Sequence, residues 1–243
     1  MDRPLVAILS GAGISTDSGI PDYRGPDGVW RREPGAEKRA TYEYYMTDPE
    51  VRRSSWQMRR SNRVLEAEPN AAHRAVAELE RSGLAVRVIT QNVDGLHQRA
   101  GMPAHKVLEL HGSARSVVCT RCHARGPMAD ALARVEAGED DPPCLACGGI
   151  LKSATVMFGE RLDPDVLGEA VAITKACTVF IAVGSSLQVQ PAAALVGLAA
   201  DCGARLIIVN AEPTPYDDRA HEVIRQPIGT ALPELLHRLT GTS

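Results

Sequence analysis

The feature that most constrains this chain is a series of short apolar runs, each stopping abruptly at glycine, hydroxyl, amide or imidazole residues. The run 5-LVAIL-9 ends at 10-SGAGIST-16, 85-AVRVIT-90 at Gln91 and Asn92, 107-VLEL-110 at His111, 178-TVFIAV-183 at 184-GSSLQVQP-191, and 205-RLIIVN-210 at an acid and a proline. Their continuous apolar character suits parallel strands covered on both faces. Between them, 70-NAAHRAVAELERSG-83 has an Asn able to cap a helix start, apolar residues at helical spacing, and Gly83 as a stop. The segments 191-PAAALVGLAADCG-203 and 230-TALPELLHRL-239 also read as helices. Alternating strand and helix predict an α/β fold with a doubly wound, Rossmann-like parallel sheet.

Two stretches stand outside that alternation. A chain of 243 residues has room for a main domain and a smaller module. The expected division gives residues 1–28, 69–111 and 156–243 to the sheet domain. Residues 29–68 form a helical insertion and 112–155 a cysteine-bearing module, which together make a small domain. A cleft between the two parts is the expected place for a ligand.

Formal net charge is −3 with 23% charged residues, so no nucleic-acid or membrane partner is expected. The segment 1-MDRPLVAILSGAG-13 lacks the basic start and cleavage pattern of an export signal. The uncharged run 176–200 is interrupted by Ser185, Ser186, Gln188, Gln190 and Pro191, which fits a strand, a loop and a helix better than a membrane span. A cytoplasmic location follows as the expectation. Six cysteines in such a chain argue against a disulfide framework. Cys119-x2-Cys122 and Cys144-x2-Cys147 can set four thiolates around Zn²⁺, a closed and therefore structural site. Cys177 and Cys202 read as small core residues.

The polar strand ends are individually ambiguous. Gly11 and Gly13 match the start of a dinucleotide-binding turn, but Thr16 stands where a third glycine is usual. The segment 19-GIPDYRGPDGVW-30 is too rich in Pro and Gly for a helix and reads as a long loop over that turn. Gln91, Asn92, Asp94 and His97 crowd one strand end, yet Asp94-Gly95 is also an ordinary turn pair. Gly184, Ser185 and Ser186 offer N–H groups and hydroxyls to a phosphate or ribose, and Asn210 and Glu212 suit ribose hydroxyls. His111 is either structural or a base facing the cleft, since two complete Cys pairs leave it no place on a metal. Four such loops at one sheet edge are harder to dismiss than any one.

Taken together, 11-GAGIS-15, 19-GIPDYRG-25, 90-TQNVDGLH-97, 109-ELHGS-113, the two cysteine pairs, 157-MFGE-160 and 184-GSSLQVQPA-192 resemble the sirtuin family over nearly the whole chain. The resemblance implies an NAD⁺-dependent protein-lysine deacylase acting on acylated-lysine proteins, with NAD and Zn as cofactors. It implies His111 as the base that draws a proton from a ribose hydroxyl, Asn92 as the residue that orients ribose and water, Asp94 as the holder of the nicotinamide carboxamide, and Gln91 as a ribose contact. By the same match Ala12, Ser15, Asp22, Tyr23 and Arg24 belong to the cofactor loop, Gly184, Ser185 and Ser186 face phosphate and ribose, Asn210 and Glu212 the adenosine ribose, and Ile228 the adenine. Val156, Met157, Phe158 and Gly159, and Ser186, Leu187, Gln188 and Val189, resemble two strands between which a substrate peptide adds as a third, with Met157 and Phe158 walling an acyl-lysine tunnel.

This sequence departs from the family in places. Tyr23 replaces the commoner Phe, and Ser153 stands where Pro is usual. Members that prefer acidic acyl groups carry Tyr-x-x-Arg, whereas the corresponding residues here are Trp56 and Arg59. Deacetylation is therefore the expected activity. Mono-ADP-ribosyl transfer and desuccinylation or longer-chain deacylation are the alternatives, and a non-catalytic NAD- and zinc-containing binding module is the rival of another class.

Overall fold

The computed structural model describes residues 4–22, 28–32 and 35–241, so Tyr23 and Arg24 lie outside the described residues. The strands are β1 (Leu5–Ser10), β2 (Ala85–Thr90), β3 (Val107–Glu109), β4 (Gly112–Cys119), β5 (Arg125–Pro127), β6 (Leu151–Thr155), β7 (Val179–Val183), β8 (Arg205–Val209) and β9 (Glu222–Ile224). The helices are α1 (Val29–Arg32), α2 (Ala36–Arg39), α3 (Tyr42–Thr47), α4 (Pro49–Ser61), α5 (Ala71–Arg81), α6 (Leu96–Arg99), α7 (Met128–Glu136), α8 (Pro164–Ala176), α9 (Ala194–Asp201) and α10 (Ile228–Leu239).

Six strands form one sheet in the order β3-β2-β1-β7-β8-β9, every pair parallel. Residue parity along a strand sets which layer each side chain joins. Val6 and Ile8 of β1 pack with α5 and α10 on one face, while Ala7 and Leu9 pack with α8 and α9 on the other. The helix α5 starts where its sequence directs. The Asn70 side chain accepts from the Ala72 and His73 amides, and its own amide donates to the Ile14 carbonyl at 2.8 Å. That bond ties α5 to the turn after β1.

A second, three-stranded antiparallel sheet runs β5-β4-β6. Its core joins Trp56 of α4, Val117 of β4, Met128, Ala131 and Val135 of α7, and Leu151 of β6, with Cys119 and Cys144 buried among them. The Tyr45 hydroxyl donates to the Leu151 carbonyl at 2.8 Å and pins α3 to this sheet.

Cys202 is exposed and not a core residue, because it ends α9 in the turn toward β8, whereas Cys177 is buried. The segments 156–159 and 186–189 are not strands. β6 ends at Thr155, Phe158 makes only an isolated parallel bridge to Thr41, and Leu187 has a φ of 54°, which breaks an extended run. No helix among the described residues is long and apolar enough to cross a membrane.

Two imidazoles are buried beneath the sheet edge, with His73 and His97 ring centroids 5.0 Å apart. Burial pushes His73 down to about 4, against a partly compensating pull from Asp94, and pushes His97 down to about 3. Both are neutral in the folded chain while the unfolded chain binds protons below about 6.5. Stability is therefore full above that pH and falls as pH drops toward the folded values. Denaturant titrations are expected to lose on the order of several kcal/mol of unfolding free energy between pH about 7 and about 4.5. Equal stability at the two pH values would contradict the neutral assignment.

Candidate active site

The order of strands reverses between β1 and β7, the point at which an open α/β sheet offers a crevice beyond its carboxyl ends. A glycine follows each strand there, Gly11 after β1 and Gly184 after β7, and their backbones touch. The Gly11 N–H donates to the Val183 carbonyl at 2.9 Å and the Gly13 N–H to the Gly184 carbonyl at 2.8 Å. A β-carbon on Gly11 would lie 2.7 Å from the Gly184 oxygen, so no other residue fits without moving the strand ends. Above this contact opens a cavity of about 1350 Å³ that runs from the sheet edge to the small module. Ligand pockets for drug-sized molecules span roughly 300–1,000 Å³, so this one has room for a dinucleotide and an inserted side chain.

The cluster after β2 is held from several sides at once. Asn92 donates through Nδ2 to the Gly11 carbonyl at 3.0 Å and to Ser15 Oγ at 3.2 Å, and its backbone N–H donates to Thr90 Oγ1 at 3.1 Å. Ser15 donates to Asp94 Oδ2 at 2.8 Å, and Asp94 Oδ1 accepts from the Leu96 N–H at 2.9 Å. Gln91 Nε2 donates to Ser185 Oγ at 3.0 Å, joining the ends of β2 and β7. Ser10 donates to Thr90 Oγ1 at 2.8 Å and lies 2.9 Å from His97 Nε2, so a buried relay of hydroxyls lies directly under Asn92. His97 thus belongs to the supporting layer and not to the cavity lining.

His111 follows β3 and lines the cavity. Its Nδ1 lies 2.9 Å from the Gln91 carbonyl. A carbonyl only accepts, so Nδ1 carries the proton and Nε2 is the lone-pair nitrogen of the neutral ring. Burial holds the imidazole below its ordinary value, with the Gln91 bond opposing. The ring is therefore neutral near pH 7 and equipped to accept a proton through Nε2.

Beyond His111 the cavity is walled by Val156, Met157, Phe158 and Gly159 from the turn after β6, and by Ser186 and Val189 from the loop after β7. Glu160 fixes that turn. Its Oε2 accepts from the Met157 N–H at 2.8 Å and pairs with Lys152 Nζ at 2.9 Å. Lys152 is itself buried and also donates to the Thr155 carbonyl at 2.7 Å. Arg59 lines the cavity, with Nη1 donating to the Ser55 carbonyl at 3.0 Å. Trp56 does not line it. The indole is 0% exposed in the core of the small module, and Leu187 and Gln188 are likewise outside the lining.

The four paired cysteines converge although they come from two separate hairpin-like turns. All four Sγ atoms lie within 4.8 Å of one another, with Cys119–Cys147 at 3.5 Å and Cys122–Cys144 at 3.7 Å. Zn–S bonds of about 2.3 Å around a tetrahedron place sulfurs about 3.8 Å apart, so the set fits zinc. The Arg121 and Cys122 N–H groups point at Cys119 Sγ from 3.4 and 3.5 Å, which would support a thiolate there.

A glycine-lined switch point, a neutral imidazole in the cavity and a four-cysteine cluster on an antiparallel sheet are matched by comparison with known proteins. The profile of the Sir2 family matches residues 11–191. The chain belongs to the Sir2 family. Among Sir2 relatives, NAD-dependent protein deacetylase 2 of Streptomyces coelicolor is 75% identical over 237 residues, covering 98% of each chain. The NAD-dependent protein deacetylase of Caldivirga maquilingensis is 44% identical over 236 residues, covering 96% of this chain and 88% of that one. A solved Sir2 structure with a p53 peptide and NAD⁺ superposes with a TM-score of 0.86 at 36% identity, covering 100% of this chain and 95% of that one.

Of the site residues expected from the sirtuin resemblance, the Sir2 chain brings to this one cavity Gly11, Ala12, Gly13, Ser15, Asp22, Gln91, Asn92, Asp94, His111, Gly184, Ser185, Ser186, Asn210, Glu212 and Ile228. Three residues that the sequence did not single out individually also matter. Glu160 stands at the end of the quoted 157-MFGE-160 stretch, and the lone cation Lys152 in an otherwise uncharged strand was the available signal for its partner. Arg225 donates to both the Asn210 and Glu212 carbonyls, at 2.7 and 2.8 Å, and shapes the loop after β8.

Proposed function

We propose that this chain is an NAD-dependent protein-lysine deacetylase, yielding nicotinamide and O-acetyl-ADP-ribose. The observation that carries this reading is the position of His111. Its Nδ1 is engaged by the Gln91 carbonyl, and the residue lines the one cavity shared by the glycines of the switch point and the walls formed by Val156–Gly159. Bound NAD supplies an electrophilic ribose carbon with nicotinamide as its leaving group. Asp94 would hold the carboxamide of that group, Asn92 and Gln91 would orient the ribose, and the N–H groups and hydroxyls of the 11–15 and 184–186 loops would bind phosphate. Once the acetyl oxygen has been captured, His111 Nε2 would accept the proton of a ribose hydroxyl so that this oxygen can attack the acyl carbon, a role suited to a neutral imidazole. Asn210, Glu212 and Ile228 would receive the adenosine end. Tyr23 and Arg24 remain part of the proposed cofactor loop.

The acylated substrate would enter between the 156–159 and 186–189 segments. Since neither segment is a strand, the peptide would supply the pairing partner and backbone bonds would hold it, so selectivity for sequence should be weak. The helices of 29–68 and the sheet of 112–155 would act as one module facing the substrate. A cytoplasmic location belongs to the same reading and is supported by six free thiols, four of them gathered as a metal-type cluster.

The acyl group is tested by turnover of matched acetyl-, succinyl- and long-acyl-lysine peptides. The family's Tyr-x-x-Arg pattern implies that Trp56→Tyr adds a hydroxyl partner for a succinyl carboxylate. With the indole in the core of the small module, that hydroxyl would have no path to the cavity. Arg59 alone leaves a buried carboxylate imperfectly paired, a cost on the order of 1.5–3 kcal/mol. The expected result is acetyl favoured over succinyl by about tenfold or more in kcat/KM. Desuccinylation faster than deacetylation, or ADP-ribose appearing on protein in place of O-acetyl-ADP-ribose, would contradict this assignment.

A further inference from the structure

Arg115 reaches from β4 of the small sheet to the turn that follows β2. Its Nε donates to the Asp94 carbonyl at 3.0 Å and Nη2 to the Leu65 carbonyl at 3.4 Å. Its side chain lies across Gly95, where a β-carbon would come within 2.8 Å of Nε. The preceding residue joins the same grip, with the Ala114 N–H donating to the Val93 carbonyl at 2.8 Å. The Asp94 carboxylate meanwhile is held on the other side by Ser15 and the Leu96 N–H. The turn that aims Asp94 is thus fixed through its side chain by the segment after β1 and the start of α6, and through its backbone by the small module.

We propose that Arg115 is a positioning residue for Asp94, and that through it the cysteine-bearing module sets the nicotinamide end of the site. The inference rests on the function proposed above, since only then does Asp94 hold a carboxamide. Arginine suits the role for a physical reason. Its planar fork spans two carbonyls on different segments, the end of the helical insertion and the Asp94 turn, whereas a lysine ammonium on a shorter reach serves one. A bond from a cationic donor is stronger than a neutral one, and here it acts on the peptide unit carrying the Asp94 side chain.

Arg115→Met keeps the packing over Gly95 and removes the donors, while Arg115→Lys restores one of them. With matched acetyl peptide and the zinc-loaded chain, Arg115→Met is expected to raise the KM for NAD and the nicotinamide concentration for half-inhibition by about tenfold. Peptide KM and zinc content should stay as in the unmodified chain. Arg115→Lys should recover most of the difference. A purely structural role would lower kcat and thermal stability together and leave the ratio of the two KM values unmoved, which would overturn the inference. So would an unchanged NAD KM in Arg115→Met beside a fully active unmodified chain. Absence of NAD-dependent turnover in the unmodified chain would overturn the functional reading, and this inference with it.

Discussion

Replacing His111 by alanine is expected to lower deacetylation turnover by about two to four orders of magnitude, the usual contribution of a positioned general base. The folded chain should survive. The ring is only partly enclosed, and its hydrogen bond to the Gln91 carbonyl is worth about 1 kcal/mol. NAD affinity measured by calorimetry should stay close to that of the unmodified chain, since a base acts in the transition state and adds little to ground-state binding. Near-normal turnover in this variant would remove the proposed mechanism. The direction of the pKa shift adds a pH signature, because activity should persist below the ordinary histidine value as long as burial keeps Nε2 unprotonated.

The second large effect concerns the metal. Cys144→Ser removes one sulfur from a set whose members lie within 4.8 Å of each other. Structural zinc in small domains contributes about 10–16 kcal/mol of apparent binding energy that is also folding energy. Cys119 and Cys144 are packed with Trp56, Val117 and Met128, so losing the metal would leave polar sulfurs clustered in the core of the small module. Zinc content by elemental analysis should fall from stoichiometric to near zero, with the small module opening first and the parallel sheet retaining its structure. Full zinc occupancy in the variant would show that the four-thiolate assignment is wrong.

How much of this was legible in the sequence differs by element. The strands β1, β7 and β8 are largely continuous apolar runs, and β2 is one interrupted by Arg87, because helices cover both faces of the sheet, and their sequence signal is correspondingly strong. The edge strand β9 has only three residues, one of them exposed, and offers no pattern to detect. Helix α8 announces itself only through its cap, where Asp163 accepts from the amides of Asp165 and Val166 around Pro164 at the first helical position, because its apolar residues are too weakly patterned to mark a buried face. In α7, Met128, Ala131 and Val135 stand at helical spacing and were obscured by the cysteine pairs on either side.

The site shows the same division. Gln91, Asn92 and Asp94 formed an ambiguous cluster, since the same residue types make turns, and only their companions at other strand ends decided between the readings. Trp56 was misplaced for a geometric reason. Trp56 and Arg59 are three residues apart on α4 and the guanidinium carbon lies 6.0 Å from the indole centroid, yet only Arg59 lines the cavity while the indole is buried in the core. Arg115 gave no signal, because its role depends on the close approach of β4 to the turn at Gly95, a contact between segments distant in the chain.

The most direct test of the central claim is the product balance of a single reaction. The chain is incubated with an acetyl-lysine peptide and NAD, and deacetylated peptide, nicotinamide and O-acetyl-ADP-ribose are quantified by mass spectrometry. The account predicts equal amounts of all three and no deacetylation when NAD is omitted. Deacetylation without NAD, or nicotinamide release with no acetyl group transferred to ADP-ribose, would contradict it.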